Sequence, residues 1–145
     1  MITLPEQRTL TAHEAKQKSP VELAFIGDAV YETLVREHIS LTHDAPAHKL
    51  HSLCVSYVRA GAQHKASEVI LPLLNDTEAD IIKRGRNANK VTSPRNADPA
   101  DYRAATGLEA LFGFLYLTGQ TLRIRELFDI ITADHDGNHC ESGNE

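Results

Sequence analysis

Two acidic side chains lie where the hydrophobic pattern has no evident place for a charge, Asp28 and Glu109. The stretch SPVELAFIGDAVYETLVREH, residues 19–38, advances about 100° per residue as a helix. Leu23, Ile26, Val30 and Leu34 then share one face, and Val21, Ala24, Asp28, Tyr31 and Val35 form a neighbouring stripe in which Asp28 is the only charge. In DPADYRAATGLEALFGFLYLTG, residues 98–119, Glu109 lies in line with Tyr102, Ala105, Phe112, Gly113 and Tyr116, again a lone acid in an apolar and aromatic stripe. A carboxylate held against apolar surface costs several kcal/mol unless it is paired, hydrogen-bonded or bound to a cation. For one isolated acid, a nearby helix start or an arginine is the ordinary answer. Two acids of the same kind, if their stripes face each other, point to a shared site for a proton or a divalent cation. Magnesium suits it, because Mg²⁺ commonly takes one or two carboxylates and fills its remaining positions with water and substrate phosphate.

The elements that must position these acids have legible ends. Ser19, Pro20 and Glu22 make a helix start with a hydroxyl cap, a proline at the first helical position and a glutamate three residues after the cap. Asp98 and Pro99 open the second acidic helix, Asp101 sits near the positive end of its dipole, and Gly119 stops it. Between the two, residues 46–71 read as one long helix with Leu50, Leu53, Cys54, Tyr57, Val58 and Ala62 on its apolar face, ended by Pro72. Asn75, Asp76 and Thr77 form a turn and cap for a short helix, TEADIIKRGRN, that carries Ile81 and Ile82 inward, with acids at its start and bases at its end. The segment QTLRIRELFDIITAD gives a last amphipathic helix with Leu122, Ile124, Leu127, Phe128 and Ile131 available for packing. No segment alternates as a strand, so the expected fold is all-α, about five helices in one domain. The expected division is an N-terminal segment 1–18, a helical domain 19–132, and a polar tail 133–145 without apolar periodicity that reads as disordered.

The 145-residue chain has 41% hydrophobic residues, enough for one domain with a core, and a net charge of −5 that argues against a generally basic nucleic-acid binder. That average hides one base-only interval. Lys83, Arg84, Arg86, Lys90 and Arg95 follow one another without an acid, interrupted by Gly85, Asn87, Asn89, Thr92, Ser93 and Pro94, and read as a basic polar loop. Its first cations complement a helix dipole, but a base-only stretch in an acidic chain, leading straight into the Glu109 helix, favours phosphate contact. Lys49 and His51, at the start of the long helix, are further candidates for facing RNA. His48 and His51 have helical spacing without a third ligand, which is weak support for a metal site. Cys54 and Cys140 have no disulfide or metal spacing and read as free thiols. With no apolar run near membrane length and no leader pattern, the expectation is a cytoplasmic protein without membrane contact.

LAFIGDAVYE resembles the signature helix of the ribonuclease III family, and GLEALFGFLYLTGQ resembles that family's second acidic helix. FIGDAVYE, IKRGRNANK and YRAATGLEALFGFLYL, with no double-stranded-RNA-binding domain following, resemble the Mini-ribonuclease III branch over about residues 19–127. The resemblance implies a homodimeric ribonuclease III-like helical domain, with Asp28 and Glu109 as catalytic and metal-binding acids. It further implies Mg²⁺, or Mn²⁺ in its place, as cofactor and hydrolysis of double-stranded RNA, with precursor large-subunit ribosomal RNA as substrate and a ribosomal protein or pre-ribosome as a further partner. Longer members commonly carry a glutamate four residues before the aspartate and an aspartate three residues before the glutamate, where this chain has Ala24 and Thr106. Glu22 projects from another side of its helix, and Glu32, one turn after Asp28, is a weaker candidate for a supporting role. The excess apolar surface of the first helix, with Phe25, Ala29 and Tyr31 beyond a single packing stripe, is what a subunit interface absorbs. The competing reading is a non-catalytic RNA-binding or ribosome-associated protein of the same fold. A helical protein-interaction module would explain the amphipathic helices but not the two acids or the base-only run.

Overall fold

The computed structural model describes residues 7–88 and 98–142, with side chains through residue 138. The described residues form helices and turns, with no strand among them. In chain order the helices are α1 (Ala12–Lys16), α2 (Pro20–Thr42), α3 (Ala47–Val58), α4 (Ala60–Ile70), a 3₁₀ turn at Leu71–Leu73, α5 (Asp76–Ala88), α6 (Pro99–Leu117) and α7 (Thr121–Ser142).

The architecture is built around α6. From Ala104 to Leu115 every residue except Glu109 is buried, and a helix that is apolar around its whole circumference belongs inside. Helices α2, α4 and α5 pack on it, α3 lies on α2, and α7 closes against α4 and α6. Both acidic helices start as their sequences require. Ser19 Oγ accepts from the Glu22 amide at 3.2 Å while Glu22 Oε2 accepts from the Ser19 amide at 3.1 Å, with Pro20 at the first position. Asp98 Oδ1 accepts from the Ala100 amide at 2.8 Å, with Pro99 following. At the far end of α6, Gly119 adopts φ 73°, which lets its N–H reach Tyr116 O and the Gln120 N–H reach Leu115 O. Among the described residues, this left-handed closure is the one turn that requires glycine's freedom.

Three expectations are corrected. The helix expected over 46–71 is broken at Arg59, whose ψ of 151° leaves the helical region, because α3 must lie on α2 while α4 turns to lie on α6. The basic run is not a loop throughout: Lys83, Arg84 and Arg86 belong to α5, whereas Lys90 and Arg95 lie outside the described residues. The expected disordered tail is helical to Ser142. Polar contacts rather than apolar periodicity hold it: the Tyr57 hydroxyl donates to Asp136, His38 Nε2 lies 3.0 Å from Asp136 Oδ2, and the His135 ring stacks on Tyr57 with centroids 3.8 Å apart. No helix among the described residues is long and apolar enough to cross a membrane.

Candidate active site

Asp28 and Glu109 are brought together by two glycines. A Cβ on Gly27 would lie 1.6 Å from the Glu109 carbonyl oxygen, and one on Gly113 would lie 1.9 Å from the Leu23 carbonyl oxygen. No side chain fits at either position, so α2 and α6 cross backbone against backbone. Asp28, next to Gly27, and Glu109, one turn before Gly113, then line one open cleft with Phe25, Ala29, Tyr102 and Thr106.

The two acids differ in setting. Glu109 is largely covered, and its carboxyl is pushed up to about 7 by that burial and by the neighbouring Asp28 carboxylate, against the pull of one hydrogen bond from Gln63. Gln63 Nε2 donates to Glu109 Oε1 at 3.2 Å. Asp28, expected against apolar surface, is exposed in the single chain, as are Val21 (51%), Phe25 (83%) and Ala29 beside it, whereas Ala24, Tyr31 and Val35 of its stripe are buried. Tyr31, expected to extend this outward surface, turns into the core, edge-on to Phe112 and Phe128.

A third acid shows what a structural carboxylate looks like in this fold. Glu78, only 2% exposed, accepts from Arg123 Nε at 2.9 Å and Nη2 at 2.8 Å and from the Asn75 amide at 3.0 Å. Burial pushes its carboxyl up, but the bonds from Arg123 and Asn75 outweigh this and hold it below its ordinary value. Glu109 has one neutral amide donor where Glu78 has a guanidinium fork. Neither Asp28 nor Glu109 has an ion-pair partner among the described residues. Two adjacent, underpaid carboxylates with hard oxygen donors fit a divalent cation, and they would be its protein ligands. No group of three or more acids, histidines or cysteines with metal-site geometry occurs among the described residues. Ala24 and Thr106 both border the cleft without adding a carboxylate, and the Thr106 hydroxyl is committed to the Tyr102 carbonyl at 3.0 Å.

Among the basic candidates, Lys83 and Arg86 are exposed and line a second cleft beside α6, together with Asn87 and Arg103. The Arg86 stem runs over Gly107, whose absent side chain makes room for it. Arg103 escaped the sequence reading; its signal is its position one residue after Tyr102, on the flank of α6 that turns toward α5. Arg84 points elsewhere, donating to the carbonyls of Lys16 and Lys18 at 3.3 and 3.4 Å. Lys49 and His51 are exposed on α3 and line neither cleft; His51 borders a groove with Arg36, Ser40 and Cys54. Gln63 also escaped the sequence reading. Its signal is a polar residue in line with Ala66, Ser67 and Ile70, the buried face of α4.

Comparison with known proteins places the chain in a family. Residues 21–120 match the Ribonuclease III domain family. The Mini-ribonuclease 3 of a Thermoanaerobacter species is 40% identical over 127 residues, covering 88% of this chain and 89% of that protein. The Mini-ribonuclease 3 of Symbiobacterium thermophilum is 44% identical over 108 residues, 74% of this chain and 83% of its own. A crystal structure of a Fusobacterium nucleatum protein superposes with a TM-score of 0.74 at 28% identity, covering 83% of this chain and 97% of that one. The chain belongs to the ribonuclease III family, in its Mini-ribonuclease III branch, and is an endoribonuclease.

Proposed function

We propose that this endoribonuclease hydrolyses double-stranded RNA in a divalent-metal-dependent reaction, with Asp28 and Glu109 as its catalytic and metal-binding acids. The observation that carries the proposal is the meeting of Asp28 and Glu109 in one cleft at the α2–α6 crossing, with no ion-pair partner for either among the described residues and one hydrogen bond from Gln63 on Glu109. Mg²⁺, or Mn²⁺ in its place, supplies an activated water and charge stabilisation on the phosphate when bound. The chain contributes the rest. Asp28 and Glu109 hold the ion and set its place in the cleft, and the Gly27–Gly113 crossing keeps the two acids in register. Lys83, Arg86 and Arg103 bind phosphates along the duplex, as suits a substrate recognised through shape, phosphates and 2′-hydroxyls. Lys90 and Arg95 extend the same base-only run in sequence, whereas Lys49 and His51 offer contacts from another side.

The exposed stripe of Val21, Phe25 and Ala29 beside Asp28 supports a symmetric homodimer, one site per subunit and one strand cut by each. The resemblance of the branch supports precursor large-subunit ribosomal RNA as the substrate, in the cytoplasm, with a ribosomal protein or pre-ribosome as partner. The test offers the purified protein a precursor ribosomal RNA duplex, an unrelated RNA duplex, a single-stranded RNA and a DNA duplex, with Mg²⁺ and with a chelator. Cutting of RNA duplexes only, only with Mg²⁺, and fastest on the ribosomal precursor, is the expected result. Equal cutting of single strands would overturn the duplex assignment, and equal rates on both RNA duplexes would overturn the ribosomal one.

A further inference from the structure

Gln63 is 3% exposed and has two acceptors for one amide nitrogen: the Val58 carbonyl at 2.9 Å and Glu109 Oε1 at 3.2 Å. Two acceptors match the two N–H bonds of a side-chain amide, and turning the group over would press its oxygen against two others, so the orientation is fixed. The Val58 carbonyl is available because α3 ends there. Arg59, with ψ 151°, carries the chain out of the helix, and the amide that a continuous helix would bring to this carbonyl is displaced. The break between α3 and α4 thus creates the anchor on which the Gln63 amide hangs. The remaining atom, Gln63 Oε1, is buried with no partner among the described residues. Leaving a buried acceptor unpaired costs about 1–3 kcal/mol, so packing alone favours an apolar residue of the same length. The role of this side chain lies in its nitrogen.

We propose that Gln63 is the positioning residue of the metal site: anchored on the Val58 carbonyl, it holds Glu109 Oε1 and leaves Oε2 as the oxygen available to a divalent cation shared with Asp28. This rests on the reading that Asp28 and Glu109 hold that cation. A carboxylate that swings freely in a cleft must be ordered when the ion arrives, and a fixed donor to one oxygen removes that cost beforehand.

The test is calorimetric titration of Mn²⁺ into the RNA-free full chain, for the wild type, Gln63→Met and Asp28→Asn. Gln63→Met keeps the length and loses both donors. It is expected to weaken Mn²⁺ binding about tenfold. Its cleavage kcat should fall at low Mg²⁺ and return at high Mg²⁺, with the KM for RNA unchanged. A merely structural defect would not be cured by more ion. Wild-type affinity in Gln63→Met, with binding lost in Asp28→Asn, would overturn the role of Gln63 and leave the acid pair standing. No Mn²⁺ binding by the wild type would overturn the cation reading and this proposal with it. If Gln63→Met fails to fold, the side-chain amide of Gln63 in the wild type is followed by NMR during Mg²⁺ titration. A shift in step with cation binding is expected, and a resonance unmoved at saturation would overturn the proposal.

Discussion

Glu109 carries a pH dependence whose sign follows from its setting. Its carboxyl is raised from 4.5 to about 7 on folding, so the folded chain binds that proton more tightly than the unfolded one. The stability this contributes is fully present below about pH 4.5 and is lost as the pH rises through 7. At pH 8 the metal-free fold holds two carboxylates that repel. Replacing Glu109 by Gln is therefore predicted to stabilise the metal-free protein at pH 8 by ~1–3 kcal/mol and to change little near pH 4.5. Denaturant unfolding in chelator at the two pH values measures it. Equal stability of the two proteins at pH 8 would mean that the acid is compensated in some other way. At this scale the sequence was informative about anomaly and silent about exposure. A lone acid in an apolar stripe marked both Asp28 and Glu109, but the pattern could not say that Asp28 itself stands exposed in the single chain while Ala24, Tyr31 and Val35 of its stripe are buried. The same test would not have marked Gln63, an uncharged residue on a buried face of α4 that also holds the polar Ser67 beside Ala66 and Ile70.

The site depends on the crossing of α2 and α6. Gly27→Ala would push a methyl into the Glu109 backbone, with no flexible side chain to give way. The expected loss is at least ~3 kcal/mol of stability together with cleavage, since the helices must separate where the acids meet. Gly137 is the control, with nothing within 4 Å of its absent Cβ. Gly137→Ala should be neutral or stabilising by up to ~1 kcal/mol, because it removes a glycine from a helix interior. Unfolding midpoints of the two variants make the comparison, and a tolerated Gly27→Ala would contradict the close crossing. The ends of α2 and α6 were legible because caps are local: a hydroxyl, a proline and a glutamate at fixed spacing specify their own hydrogen bonds. The break at Arg59 was not legible, because its cause is tertiary. The apolar periodicity runs on through residues 46–71, and only the need for α3 to lie on α2 and α4 on α6 divides it. The helical end of α7 escaped for a related reason, since Asp136 and His135 are held by Tyr57 and His38 from distant segments.

For the molecule as a whole, the all-α class was readable from the absence of strand alternation, whereas the central position of α6, to which the sequence reading assigned only one apolar stripe, was not expected. The proposed second subunit would cover the exposed side chains of α2. Phe25 is 83% exposed, so Phe25→Glu leaves the core of the single chain untouched. The account predicts that this variant keeps its helical content and unfolding midpoint but sediments as a monomer where the wild type sediments as a dimer. A variant that stays dimeric would place the interface elsewhere.

The central claim is that one pair of acids, Asp28 from α2 and Glu109 from α6, cuts RNA with a divalent cation. The most direct measurement is single-turnover cleavage of a labelled RNA duplex by the wild type and by Asp28→Asn, across a range of Mg²⁺ concentrations, with both proteins checked for folding by their unfolding curves. The account predicts Mg²⁺-dependent cutting by the wild type and a rate at least ~100-fold lower for Asp28→Asn at every concentration. Equal rates for the two proteins would contradict it, and the catalytic acid would have to be sought outside this cleft.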